Sequence, residues 1–408
     1  MGAKLVTFAY SSSGVLPRGL LPVKSLRPAP ARRRLALCAA LLMLPPSGAM
    51  AQPLAPSPVP APPAAPMASA NSGDLPALPT GRATRPGILL TGEGSGAFAA
   101  VQFQMAWPRL TRGVGVQGGG AYNCAGGSLH SAALTCTCPT SALPSSAPLG
   151  LMPATQSHHC LVMPPQIMAR RGTDSVRAQK RESHTRQSLR HHRLWWHAAP
   201  GSTGSAPAVT EALGPFYAHW GVRPAQRRQW PSDQGFSSAA LDDMMRWLSR
   251  SPQAQPAGPT HPDRLQAFDQ TPYRQAGRFD GLGEQGWVYV PPRCDRQPGA
   301  CRVQVVFHAC EARPPLAGDG LTERQMAWAE TLGLVLLYPR VEASVGTAGQ
   351  RPRHNPMACW DFWGYTQEEQ DAGRLDQAPA HLRRDAPQLA AVHRMVQALH
   401  AHKARSAP

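Results

Sequence analysis

The chain has 408 residues, a formal net charge of +17, 16% charged residues, 44 prolines and 37 glycines. That length suits one large domain or two ordinary ones, and the composition reads as a loop-rich globular protein. Seven basic residues and no acid fall in the first 51, leaving 34 basic against 24 acidic beyond them; a surplus of that size favours anionic surfaces but says little about fold or reaction.

The first 51 residues predict an export signal. Arg32-Arg33-Arg34 forms a charged region, Leu35 to Leu44 is apolar, and Ala49-Met50-Ala51 offers small residues for cleavage before Gln52. The apolar run is too short to span a bilayer, so no stable membrane anchor is expected. Cys38 follows Leu37, where a lipoprotein signal wants a small residue, so the expectation is a soluble exported protein, periplasmic or extracellular. Eight further cysteines, at 124, 136, 138, 160, 294, 301, 310 and 359, agree with an oxidising compartment and predict disulfides. Cys136-Thr137-Cys138 is too tight for a zinc clip, so neither a metal nor an organic cofactor is expected.

Residues 52–86, rich in Pro, Ala and Ser, read as a flexible linker, and 87–403 as a single domain. Within it, Gly87 to Thr91 predicts a short strand, followed by a Gly-rich turn and a helix over Ala97 to Trp107. From about 139 to 193 the chain reads as irregular, with eight basic residues between Arg170 and Arg193 opposed only by Asp174 and Glu182. This run reads as a solvated helix and loop in preference to a polyanion-binding patch. It lacks the interleaved aromatics that single-stranded nucleic acid requires, so no nucleic-acid partner is expected. Helices are predicted at Glu211–Trp220, Leu241–Leu248, Thr322–Glu330 and His381–His402. Strands are predicted at Gly286–Val290, Cys301–Phe307 and Leu332–Tyr338. The last two strands are almost wholly apolar, as central strands of a helix-covered sheet are. Alternating strands and helices predict an α/β fold.

Two turns carry the chemical signal. Thr91-Gly92-Glu93-Gly94-Ser95-Gly96 lies where a strand turns sharply into a helix, the setting of a nucleophile elbow. Phe307-His308-Ala309-Cys310 ends a buried strand, where a backbone N–H can face an oxyanion. The oxyanion strand follows the elbow, the reverse of the ordinary α/β-hydrolase order, and a circular permutation explains the reversal.

Residues 87–138, with TGEGSGAFAAVQ and GGGAYNCAGG, resemble the start of the catalytic domain of secreted poly(3-hydroxybutyrate) depolymerases of the permuted kind. Residues 286–402, with GWVYVPPRC, CRVQVVFHAC and NPMACWDFWGY, resemble its end. The resemblance implies a permuted α/β-hydrolase with a central, mostly parallel sheet covered by helices, and a serine esterase acting on a polyester. It places Gly94 where that family has its serine, in the register set by Phe98 and Ala100-Val101-Gln102. It places Gly204 on the aspartate and Gln234 on the histidine. Because triad members act as a unit, three such departures imply lost or much reduced hydrolysis. The backbone N–H groups of Ser95 and Cys310 would remain as an oxyanion framework. A competing reading makes Ser95 the nucleophile of a slipped elbow, with His197 or His219 as base; another makes the chain an exported binding or scaffold protein. Trp360, Trp363 and Tyr365 either line a groove for a polyester or hydrophobic ester, or pack around a Cys310–Cys359 disulfide. Cys294 and Cys301 suggest a local disulfide, and Cys124 could pair with Cys136, Cys138 or Cys160. His308 reads as a loop-bonding residue in preference to a proton-transfer group.

Overall fold

The computed structural model describes residues 75–137, 163–198, 205, 207–316, 318–344, 354–367 and 378–401. Eight strands form one sheet: β1 (Ile88–Glu93), β2 (Thr111–Gln117), β3 (Arg193–His197), β4 (Arg227–Trp230), β5 (Leu265–Asp269), β6 (Gln285–Tyr289), β7 (Arg302–Phe307) and β8 (Leu334–Tyr338). Their spatial order is β4-β3-β2-β1-β7-β8-β6-β5, and only β6 runs against its neighbours β5 and β8. Starting the count at β5 instead turns this into 1-2-4-3-5-6-7-8 with an antiparallel second strand, the order of an α/β-hydrolase. The first described strand, β1, is the fifth of that order, as a circular permutation requires.

The sheet is the core because its central strands are apolar on both faces. All five residues of β8 are buried, and β1 is buried from Ile88 to Thr91. One face carries the helix Ser95–Ala106, buried along its whole length. The C-terminal helix Pro387–His400 packs near it through Leu389, Val392, Met395, Val396 and Leu399. The other face carries the helices Ser238–Ser249 and Gly320–Leu332.

The four strands predicted over 87–91, 286–290, 301–307 and 332–338 are all present, the last starting at Leu334 because Gly333 (φ 65°) ends the preceding helix in the left-handed conformation. Strands β2, β3, β4 and β5 are additions. In β2, Gly113 and Gly115 remove the branched side chains that signal a strand. A methyl on Gly115 would overlap Met244 Sδ, so the helix above rests directly on the strand backbone. The stretch expected to be irregular contains the helices Pro165–Ala178 and Glu182–Leu189.

The inner linker boundary is corrected. Leu78 and Ala83 are buried, and Gly81 and Ala83 donate backbone hydrogen bonds to Ala398 and Leu399 of the C-terminal helix. Residues 75–86 therefore belong to the domain. The expected export signal, the remainder of the linker, Gly204, Cys138 and Cys160 lie outside the described residues.

Candidate active site

Gly92, Gly94 and Gly96 form the turn between β1 and the helix Ser95–Ala106. Gly94 has φ 54° and ψ −120°, a positive-φ conformation that a residue with a side chain adopts only under strain. Its N–H reaches Gln117 O at 2.9 Å, and its carbonyl accepts from Ala97 N at 3.1 Å. A methyl on Gly92 would collide with the backbone of Gly96, and one on Gly96 with the carbonyls of Phe307 and His308. The flanking glycines thus bring the turn against the end of β7.

Ser95 points inward. It is 4% exposed, and its Oγ accepts from Trp360 N at 3.2 Å. Among the described residues, no imidazole hydrogen-bonds to it. His197, fully buried at the end of β3, uses Nε2 to reach Gln234 O at 2.6 Å, while its Nδ1 is buried without a partner. Burial lowers its basicity, and the Gln234 carbonyl opposes that shift. His219 Nε2 lies 2.8 Å from Thr173 Oγ1. His308 accepts from Val341 N at Nε2 (3.1 Å) and donates from Nδ1 to Ala309 O (2.6 Å). Burial, with Arg340 nearby, holds it neutral and pushes its pKa down to about 3. Gln234 is exposed in the loop after β4.

The loop after β7 is tied to segment 354–367 by the Cys310–Cys359 disulfide, whose Cα atoms are 4.3 Å apart. Asn355 clamps Cys359 by two hydrogen bonds of 2.9 Å. Asp361, buried, organises the following turn by accepting from the backbone of Gly364, Tyr365 and Thr366. Among the described residues, the N–H groups of Ser95 and Cys310 have no acceptor. Cys294 pairs with Cys301, and Cys124 with Cys136.

The aromatic-groove expectation is corrected. The Trp360 side chain is fully enclosed, edge-on to Phe307 at 4.9 Å, and Tyr365 is 3% exposed with its hydroxyl bonded to Cys359 O and Gln388. Only Trp363 of the three is partly accessible. Steric closure around the disulfide takes the other two rings out of reach. A cleft of about 460 Å³ opens elsewhere beside the turn, with Glu93 and Phe307 to Ala309 along one side and Phe236, Leu241 and Met244 on another. Leu316 and Leu321, 39% and 36% exposed, add apolar surface to it. The surrounding protein desolvates Glu93 and raises its carboxyl above the usual range. Nothing in the spacing of Leu316 and Leu321 marks them as site residues, because they meet the turn only through the fold. Among the described residues no cluster of three or more His, Cys, Asp or Glu is placed to hold a metal, and no helix is long and apolar enough to cross a membrane.

No family model matches the chain. A poly(3-hydroxybutyrate) depolymerase of Delftia acidovorans is 23% identical over 352 residues, covering 78% of this chain and 60% of that protein. A polyhydroxybutyrate depolymerase of Talaromyces funiculosus is 26% identical over 102 residues, covering 23% of this chain and 30% of that protein. The chain thus spans less than two thirds of the length of these relatives. Among solved structures, a PHB depolymerase complexed with an R3HB trimer and a PHB depolymerase from Penicillium funiculosum are each 18% identical, at a TM-score of 0.49. Each match covers 79% of this chain and 98% of the other.

Proposed function

We propose, from the premise that this chain is a divergent relative of the poly(3-hydroxybutyrate) depolymerases, that it is an exported polyester-binding protein whose ester hydrolysis is lost or strongly reduced. The observation that carries this reading is Gly94 at the apex of the elbow, which keeps the positive-φ backbone of a sharp turn but has no side chain to present to a substrate. Ser95, one residue on, is turned inward and held by Trp360 N–H, and His197 and His219, the candidates for a base, hydrogen-bond to Gln234 O and Thr173. Gln234, at the base position, cannot accept and return a proton as imidazole does. The free N–H groups of Ser95 and Cys310 are the remnant of an oxyanion site. The apolar cleft with Leu316, Leu321 and Phe236 is the surface we assign to the ester chain. Export agrees with three disulfides among the described residues.

A fluorophosphonate probe tests the chemistry. The expected outcome is no labelling of the secreted protein; labelling abolished by Ser95→Ala would overturn the inactive reading. Gly94→Ser combined with Gly204→Asp and Gln234→His should create esterase activity, and a well-folded but inert triple variant would count against the register. Retention on polyester granules should fall in Leu316→Glu with Leu321→Glu.

A further inference from the structure

At the opposite end of the sheet lies a second and larger cleft, of about 760 Å³, where β1, β2 and β3 begin. The strands run parallel, and β2 alone is seven residues long, so this cleft is about 20 Å from the elbow. It is lined by Arg109, Arg112, Arg190, Arg193, Arg223 and Arg250, and no Asp or Glu lines it. Nor does any of the six arginines form a salt bridge with a carboxylate among the described residues. By contrast, the exposed cations of the helix Pro165–Ala178 are neutralised, Arg170 by Asp174 and Arg177 by both Asp174 and Glu182.

Several of these arginines are held in place by the fold. Arg112 lies over Gly87 (φ +82°), where a methyl would overlap its side chain. Arg250 occupies the left-handed position that ends the helix Ser238–Ser249, with φ 62°, where glycine is the usual residue, and donates to His191 O at 2.6 Å. Arg193 is anchored by Trp247 O at 2.9 Å and stacks over the Trp247 ring at 4.4 Å. The accumulated positive charge is felt nearby: burial, then Arg85, Arg112 and Arg250, pull Arg302 down to about 10. His192 is buried and neutral and adds no charge.

We infer that this cleft binds an anion carrying closely spaced phosphate groups. Guanidinium groups that share one concavity without a carboxylate partner match phosphate oxygens by paired N–H donors, and a counter-charge is what they lack. No Phe, Tyr or Trp lines the cleft, so it offers no stacking platform for bases. The site is independent of the elbow and of the reading given above for it.

The experiment measures binding of tripolyphosphate to the full chain by calorimetry, with vesicles containing phosphatidylglycerol as a second arm that separates lipid phosphate from free oligophosphate. Binding in either arm, weakened at least about tenfold in the Arg112→Gln/Arg190→Gln/Arg250→Gln variant, supports the site. Arg170→Gln with Arg177→Gln should leave it unchanged. The single Arg112→Gln variant, which loses no protein hydrogen bond among the described residues, reads the same effect more weakly if the triple variant does not fold. Absence of binding in both arms, equal affinity in the variants, or equal weakening by the Arg170/Arg177 pair would overturn the inference.

Discussion

Gly94 and His308 show how single residues decide what the site can do. In the register proposed above Gly94 stands in place of a serine, and its φ of 54° with ψ −120° is one that a side chain enters only with strain of about 1–3 kcal/mol. Working elbows carry that strain, and this one is relieved of it. His308 faces the same region, but both ring nitrogens are committed to backbone partners, which leaves it no proton to exchange with a substrate. Its depressed pKa makes it a stability group. The unfolded chain protonates this histidine below its ordinary value of 6.5, while the folded chain holds it neutral to about 3. Stability is therefore complete above about pH 6.5 and lost as pH falls toward 3. The slope approaches about 1.4 kcal/mol per pH unit for each such group. Thermal unfolding between pH 7 and 4 should show this slope, shared with the buried His192. His308→Gln should be less stable at pH 7 and should flatten the slope; an unchanged slope would remove His308 from this role.

Between elements, two adjacent aspartates of the helix Ser238–Ser249 join three parts of the sheet's outer face. Asp242 accepts from Arg324 at 2.9 and 2.6 Å and from Trp328 Nε1 at 2.8 Å, bridging to the helix Gly320–Leu332. Asp243 accepts from Trp195 Nε1 at 2.9 Å and pairs with Arg228, bridging to β3 and β4. Burial alone would raise the Asp242 carboxyl, but the Arg324 and Trp328 donors outweigh it and hold the group below its ordinary value of 3.8. Its contribution is thus present above about pH 4 and lost as pH falls further. Asp242→Asn should lower stability by about 1–3 kcal/mol at pH 7, because Arg324 keeps its charge without a partner and is partly solvated. Chemical denaturation measures this; a loss under about 0.5 kcal/mol would place the bridge among ordinary surface pairs. The pairing of these aspartates was not legible in the string Leu241 to Leu248. Its helical character was, because local periodicity suffices to show an amphipathic helix, whereas partners 82 and 86 residues away do not announce themselves.

Across the molecule, the order of the two chemical turns already pointed to a permuted sheet, and the strand order bears this out. The segment leading into β1 hydrogen-bonds to the end of the C-terminal helix, at Gly81 to Ala398 and Ala83 to Leu399, where an unpermuted chain would run continuously. Joining residue 401 to residue 75, ahead of the buried Leu78, through a linker and opening the chain within 251–260 should therefore give a folded protein. The circular dichroism spectrum and disulfide mapping of Cys294–Cys301 and Cys310–Cys359 should match those of the parent; failure to fold would mean that the present termini are needed for more than connection. The apolar strands, the glycine-bracketed turn and the Cys294–Cys301 pairing were readable in the amino-acid order, because burial on both faces, backbone crowding and short-range cysteine spacing leave local marks. The enclosure of Trp360 and Tyr365, the inward turn of Ser95, the cleft between Leu316 and Phe236 and the convergence of six arginines were decided only in the folded molecule. Each depends on which distant segments crowd a side chain, and residue type alone does not say whether an aromatic ring meets water or protein, or whether a cation meets a carboxylate.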